Sequence, residues 1–375
     1  MLGGKTIVVT TGASNFGNAK ESDTLTVTVN GVTFYQGAGT SLTAQNALDL
    51  LALLGMADGW TVAQQQITRS QTHLSTGVIA TRIASLVSAS LVPRGSRGKD
   101  SSRKPQAGMA SGFAAGDPTS EIGLGVWATP ANSWIADSTS FAKYRGTIQN
   151  LILGGDYKIT PTIVAGLAVG LEHTFINTSF NAGDMEGYGI SGTPYLAVAF
   201  FDRSVVWSLL GGGAITSTDA DRSAGGNKIT GSYQSNRYVL GSDINGYITM
   251  ADHWTINPNV SVLVAWDHRN PYRESDGTKQ LKNDTGFVEG KTGLKVTYSF
   301  DEVDIFGGGE FRHTFLQDQD FTAPGQHYDH NEGLLSMGLN WFPDDRQIPG
   351  MEVQTVLGRR NISEWTAMLN YRHIF

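Results

Sequence analysis

The last eleven residues, 365–375 (WTAMLNYRHIF), constrain the fold more than any other stretch. Taken alternately, Trp365, Ala367, Leu369, Tyr371 and Phe375 share one face, while Thr366, Met368, Asn370 and Arg372 share the other. A repeat of two is the period of a β-strand, not of a helix. The stretch finishes on an aromatic residue, and a soluble edge strand finishing in that way would invite aggregation. A sheet closed on itself, with its aromatic face in lipid, removes that hazard.

Composition agrees with such a sheet. No run of about 18 uncharged apolar residues occurs, so the sequence predicts no transmembrane helix. Charged residues make up 16% of the chain, with 46 glycines and 10% aromatics, whereas ordinary soluble domains carry about a quarter charged residues. This balance favours a lipid-facing β-barrel over a soluble α/β enzyme. The net charge of −7 argues against a nucleic-acid partner. Cysteine is absent, which excludes disulfides, thiol catalysis and Cys-ligated metals. Its absence has two readings: an ordinary feature of bacterial proteins, or avoidance of crosslinks in a chain threaded through a narrow pore. The opening MLGGKTIVVTTG lacks the basic start and apolar core of a secretory signal. A location beyond the inner membrane would therefore imply a sequence that begins part-way along a precursor.

Residues 1–58 read as a small αβ piece, a passenger remnant or minor adaptor. Stretch 5–11 is β-prone, and 24–35 (TLTVTVNGVTFY) alternates around Asn30-Gly31, a strong hairpin signal. A helix is expected over 43–54 with Gly55 as its C-cap. Asp49 and Asp58 are isolated acids with no catalytic pattern around them. Residues 61–90 then read as one helix, in which Ile67, Leu74, Val78, Ile83 and Val87 recur among Gln, Ser and Thr. A helix of roughly 30 residues is about 45 Å long and would cross a bilayer, yet this one is too polar to do so in lipid. Inside a polar lumen it would serve as a pore-crossing plug, with Arg69 and Arg82 facing pore-lining groups. The alternative is an ordinary amphipathic helix packed on the N-terminal piece. Residues 91–96 (LVPRGS) are the thrombin cleavage sequence of cloning vectors and read as an engineered protease site. They open a flexible linker over 91–118, where Lys99, Arg103 and Lys104 lack interleaved aromatics and read as a solvated tether.

From 119 to 375 the pattern predicts an all-β transmembrane barrel of about twelve antiparallel strands. The strands are expected over 122–133, 143–159, 162–178, 188–202, 204–218, 229–250, 254–269, 285–300, 303–317, 333–342, 351–360 and 362–375. Short turns at 158–161, 201–203, 251–253, 300–302 and 343–347 alternate with longer polar connections at 181–186, 219–227, 270–283 and 318–331. Outer-membrane barrels have that layout, with short periplasmic turns and long outer loops. Within the strands, Val288, Leu294, Val296, Tyr298 and Phe300 oppose Glu289, Lys291 and Lys295. Val303, Ile305, Phe311 and Phe315 oppose Asp304, Glu310 and Arg312, and Val260, Val262, Val264 and Trp266 oppose Ser261, Asp267 and Arg269. The charged faces, together with Arg237 and Asp243, are expected to line a pore. Trp254, Trp266, Tyr298, Phe300, Trp341, Phe342 and Trp365 sit at strand ends, as interfacial girdles do. Stretches 148–153 and 196–201 are apolar on both faces and would suit a place where the lumen is packed rather than wet.

A long polar helix, then about twelve strands, then a terminal Phe resembles the translocator domain of monomeric autotransporters, the type V secretion family. The run 146–159 (GTIQNLILGGDYKI) is similar to the second strand of that family, where glycines lead to Gly-Asp-Tyr before a turn. The resemblance implies a twelve-stranded barrel in the bacterial outer membrane, serving protein secretion of a passenger polypeptide in cis. It also implies a helix plug formed by Ile67, Arg69, Leu74, Val78, Arg82 and Ile83, and a monomer in outer-membrane lipid. An assembly signal, Leu369, Tyr371 and Phe375, would be read by the barrel-assembly machinery. The chain departs from the family in two places. His373 stands where an aromatic residue often precedes the final Phe by two, and no Asn-Asn pair occurs in 61–90, so self-cleavage inside the barrel is not expected.

Enzyme readings are weak, and no cofactor is expected. The histidines show no HExxH spacing and GxSxG is missing. His327, Asp329 and His330 read as a solvated turn before a metal site, and the glycine runs at Gly211 and Gly307 as close-packing positions within strands. Glu310 with Arg312 reads as a lumenal charge ladder before an acid/base pair. The competing functions are an outer-membrane diffusion pore or adhesin-type barrel and, more remotely, a soluble β-rich binding protein.

Overall fold

The computed structural model describes residues 7–11, 24–29, 32–38, 59–88, 123–138, 143–179, 181–224, 227–251, 253–300, 302–317, 329–344 and 346–375. At the N-terminal side, β1 (Ile7–Thr11), β2 (Thr24–Val29) and β3 (Val32–Ala38) form an antiparallel sheet in that order. β2 and β3 pair antiparallel with Val29 opposite Val32, while Asn30-Gly31 lies outside the described residues. The helix expected over 43–54, the protease site and the linker lie outside the described residues. One long helix follows, α1 (Gly59–Ser88).

The remaining strands are β4 (Leu124–Asp137), β5 (Tyr144–Thr160), β6 (Ile163–Thr178), β7 (Gly183–Phe200), β8 (Val205–Ala224) and β9 (Asn227–Gly246). After Tyr247 the last of these continues as β10 (Ile248–Ala251), and β11 (Trp254–Arg269) pairs with both. A two-residue ladder, β12 (Tyr272–Arg273) with β13 (Lys279–Gln280), sits in the following long loop. Then come β14 (Asn283–Ser299), β15 (Val303–Gln317), β16 (Asn331–Trp341), β17 (Gln347–Leu357) and β18 (Ile362–Ile374). Each pairs antiparallel with the next, and β18 returns to β4 with Trp365 opposite Trp134 and Ile374 opposite Gly125. With β9 and β10 counted as one, the result is a closed barrel of 12 strands. Closure leaves no edge, so every strand finds backbone partners on both sides, as a bilayer interior requires.

The two-residue alternation sorts the faces. On β18, Trp365 is 54% exposed while Arg372 is 4% exposed. Val260, Val262, Val264, Leu294, Ile305, Phe311 and Phe315 point outward, and Glu289, Asp304, Arg312 and Asp267 are buried in the lumen. A water-soluble barrel would show the reverse. Stretch 148–153 divides cleanly, with Ile148 and Ile152 buried inside and Leu151 and Leu153 exposed. In 196–201 the inward positions are Ala197 and Ala199, small side chains that leave room for α1.

Two expectations need correction. The connections placed at 181–186 and 219–227 are largely strand, because β7 starts at Gly183 and β8 runs to Ala224. Their polar cross-strand contacts, such as Ser232 to Asp219 at 2.5 Å and Lys228 to Asp221 at 2.7 Å, hold a ladder with a polar outer face, while Met185 stays buried on the inner one. Apolar alternation cannot reveal such a segment. Among the girdle residues, Phe342 lines the lumen instead of the outer face, since β16 ends at Trp341 and the chain turns inward there.

Two glycines make the wall close. Trp127 on β4 lies across Gly154 on β5, and Tyr195 on β7 lies across Gly166 on β6; a Cβ would stand 2.3 Å from the indole and 2.1 Å from the phenol ring. The two rings meet inside, with Trp127 Nε1 donating to the Tyr195 hydroxyl at 3.0 Å.

Candidate functional site: a helix held inside the barrel

Between Ala63 and Ala84, α1 is buried or half-buried at every position, although its sequence is polar nearly all round. A polar helix is stable in such a place only if its side chains find partners. They do, along three directions. Gln64, Thr68 and Gln71 follow one another at helical spacing and meet β6, β9 and β11: Arg269 Nη1 donates to Gln64 Oε1 at 2.8 Å, Thr68 Oγ1 to Asp267 Oδ2 at 3.3 Å, and Arg237 Nη1 to Gln71 Oε1 at 2.9 Å. Gln71 Nε2 also donates to Thr174 Oγ1 at 2.7 Å. Arg237 is fixed in turn by Glu172, whose two oxygens lie 2.6 Å from Nη2.

Arg69 and His73 face β14, β15 and β16. Arg69 Nη2 donates to Glu289 Oε2 at 2.8 Å and to Thr314 Oγ1 at 3.0 Å, and lies 3.3 Å from Glu332 Oε2. Arg359 bridges Glu332 and Glu364, and Glu364 also accepts from Ser70 Oγ at 2.8 Å. Arg312 pairs with Glu332 at 3.3 Å and Glu310 at 3.4 Å. Three guanidinium groups thus meet four carboxylates, Glu289, Glu310, Glu332 and Glu364. Removing one member of such a buried network strands its partner and costs about 3 to 5 kcal/mol. His73, Glu289 and Glu332 also bring ligand atoms within 4.8 Å of one another. Their carboxylates are already taken by Arg69, Arg312 and Arg359, and a cation would have to displace those arginines.

The lower half of α1 turns apolar. Leu74, Val78, Ile79 and Ile83 join one cluster with Ile148, Ile152, Val164, Ala197, Val206 and Leu210 of the wall. Each such side chain contributes about 1.5 to 3 kcal/mol by leaving water. The Tyr247 hydroxyl donates to the Ala84 carbonyl at 2.8 Å, and Arg82 pairs with Asp156. Because this packing draws α1 toward one side of the lumen, a cavity of about 200 Å³ remains on the other. Asp243, Lys291, Lys295, Asp304 and Glu310 border it, and Lys295 Nζ sits 3.6 Å from the centre of the Phe306 ring.

The direction of the helix follows from these contacts. Gln64 meets Arg269, where β11 enters a long connection, whereas Arg82 meets Asp156, close to the short turn between β5 and β6. The chain therefore enters at the long-loop end and leaves at the short-turn end, where β4 begins.

A family model described as the autotransporter beta-domain matches residues 126–346. The chain belongs to the autotransporter β-domain family. Among solved structures, the translocator domain of autotransporter NalP from Neisseria meningitidis aligns with a TM-score of 0.59 and 14% identity, over 67% of this chain and 88% of that one. The beta domain of the Bordetella autotransporter BrkA gives 0.53 and 15%, over 67% and 99%. At such identities these likenesses speak to the fold. Curated proteins give no sequence match. As an autotransporter translocator the barrel is a secretion domain of the bacterial outer membrane, a single-chain pore with its passenger in cis.

The sequence-derived lumen residues divide in two within this translocator. Arg237, Asp267, Arg269, Glu289 and Arg312 belong to the network around α1, while Asp243, Lys291, Lys295, Asp304 and Glu310 border the open side. Ile67, Arg69, Leu74, Val78, Arg82 and Ile83 are all buried. Leu369, Tyr371 and Phe375 face outward, and His373 packs edge-on against Phe375 with ring centroids 4.7 Å apart. His327 lies outside the described residues, and Asp329 accepts the Arg360 amide at 2.6 Å. Sequence reasoning missed Glu172, Glu332, Arg359 and Glu364, although each occupies an inward place. Glu332 is the single charge of β16, so no charge ladder along that strand marked its inward face.

Proposed function

We propose that α1 is the plug of this translocator, locked by Arg69, Arg82, Gln64 and Gln71 and sealed by Ile67, Leu74, Val78 and Ile83. Wall residues Arg237, Asp267, Arg269, Glu289 and Arg312 act as its sockets. The observation that carries this reading is the continuous set of bonds from helix side chains to inward side chains of β6, β9, β11, β14, β15 and β18. Residues 1–58 are the remnant of the passenger, 61–90 the plug, 91–118 the protease site and tether, and 119–375 the barrel. The direction of α1 supports a passenger that leaves from the long-loop, outer end. The barrel itself performs no catalysis. Its apolar outer belt supports outer-membrane lipid as the solvent, and outward Leu369, Tyr371 and Phe375 support reading of the last strand by the barrel-assembly machinery.

Protease added to intact cells tests the topology. Residues 1–58 should be degraded while the barrel survives. Protection of those residues on intact cells, with digestion only after the envelope is opened, would overturn the reading.

A further inference from the structure

At the short-turn end of the lumen a buried cation stands apart from the ion pairs around α1. There, Arg372 on β18 points into the lumen opposite Trp127 of β4 and is 4% exposed. Its Nε, Nη1 and Nη2 have no hydrogen-bond partner. Among the described residues, the carboxylate beside it is that of Asp156, already engaged, accepting from the Tyr195 hydroxyl on Oδ1 and from Arg82 Nη2 on Oδ2. Two guanidinium groups thus stand around a single carboxylate, each of whose oxygens already accepts one bond. A guanidinium keeps its proton at any ordinary pH and offers five N–H donors in a planar fork. Leaving that charge buried without a counter-charge is costly. Arg372 also lines the open side of the lumen, next to Asn370 on the same inward face.

We propose that Arg372 is a binding site for one small oxyanion, a phosphate or carboxylate from solution, at the short-turn mouth of the lumen. The planar fork of the side chain matches two oxygens of such an anion, and the bound charge supplies what Asp156 cannot give to both arginines. Tyr195 and Trp127, each lying over a glycine, fix Asp156 beside Arg82: Trp127 donates to the Tyr195 hydroxyl, which donates to Asp156 Oδ1.

The test is a titration of the full chain in detergent with inorganic phosphate at constant ionic strength, followed by calorimetry and by the midpoint of heat-modifiable gel migration. The expected result is one saturable site per chain and a raised midpoint. Acetate should compete for that site. In Arg372→Gln the affinity should fall at least tenfold, and the phosphate-dependent rise in midpoint should vanish. Arg82→Gln gives an independent reading, because Asp156 is then released to pair with Arg372 and phosphate binding should again be lost. Absence of saturable binding in the wild type overturns the proposal, as does undiminished binding in either folded variant. None of these outcomes depends on whether the helix blocks conductance, so the site and the plug can fail separately.

Discussion

Arg69 Nη2 on the helix donates to Glu289 Oε2 on β14 at 2.8 Å, a bond between residues 220 positions apart in the chain. Both side chains are buried, so their mutual attraction is little screened, and each depends on the other for solvation. Arg69→Ala should lower the stability of the closed barrel by about 3 kcal/mol or more and raise the frequency of open-channel events in a planar bilayer. Glu289→Gln should act in the same direction. The double variant should cost clearly less than the sum of the two, the signature of direct coupling.

Gly77 lies mid-helix, and a Cβ there would meet nothing within 4 Å. Gly77→Ala should therefore stabilise the protein by about 1 kcal/mol through helix propensity alone, seen as a higher midpoint of thermal unfolding. Gly77→Trp should fill part of the cavity and reduce the residual current through the full chain. A larger current in that variant would mean that Gly77 does not face the open side.

Gly154→Val would drive a Cβ toward the Trp127 indole, 2.3 Å away in the present packing. The expected outcome is a sharp loss of folded, heat-modifiable barrel, since overpacking a fixed ring costs about 1 to 3 kcal/mol or more. Adding Trp127→Ala should restore much of the folded yield. Lack of any rescue would show that the glycine serves another purpose.

Acid should loosen one short turn selectively. Asp344 accepts the Arg346 amide at 2.8 Å and the Gln347 amide at 2.7 Å, bonds that hold its carboxyl below the usual aspartate value. A depressed folded value means that the stabilisation is complete above the ordinary aspartate pKa of about 3.9 and is lost as pH falls through the lowered one. Amide exchange at Arg346 and Gln347, compared with Asp344→Asn, should show a protection difference that is constant above about pH 4 and shrinks below it.

Much of this molecule was legible because lipid enforces a strict rule: with water excluded outside, apolar side chains had to alternate with polar ones along β11, β14, β15 and β18. The same rule fails at 183–186 and 219–224, where Asp184, Glu186 and Asp219 put charges on the outer face. Ile148 and Ile152 were ambiguous for the opposite reason, since their inward side meets the apolar half of α1 instead of water. The partners of the helix were harder to read. Glu289 and Arg312 sit on strands with obvious charge ladders, whereas Glu332 is the single charge of β16, Arg359 lies past the end of β17, and Glu364 is far along β18 from Arg372. Only the closure of the sheet, which brings those strands around a common axis, shows that they converge on Arg69 and Ser70. The oxyanion site is similar: Arg372 was visible on the polar face of the last strand, but its lack of a partner is a property of three-dimensional placement.

The direct test of the plug is planar-bilayer conductance of the full chain beside a version lacking residues 1–90. A helix that fills the lumen predicts small, infrequent currents from the first and a large, stable current from the second, with both proteins showing heat-modifiable migration. Equal conductance from the two folded proteins would contradict it.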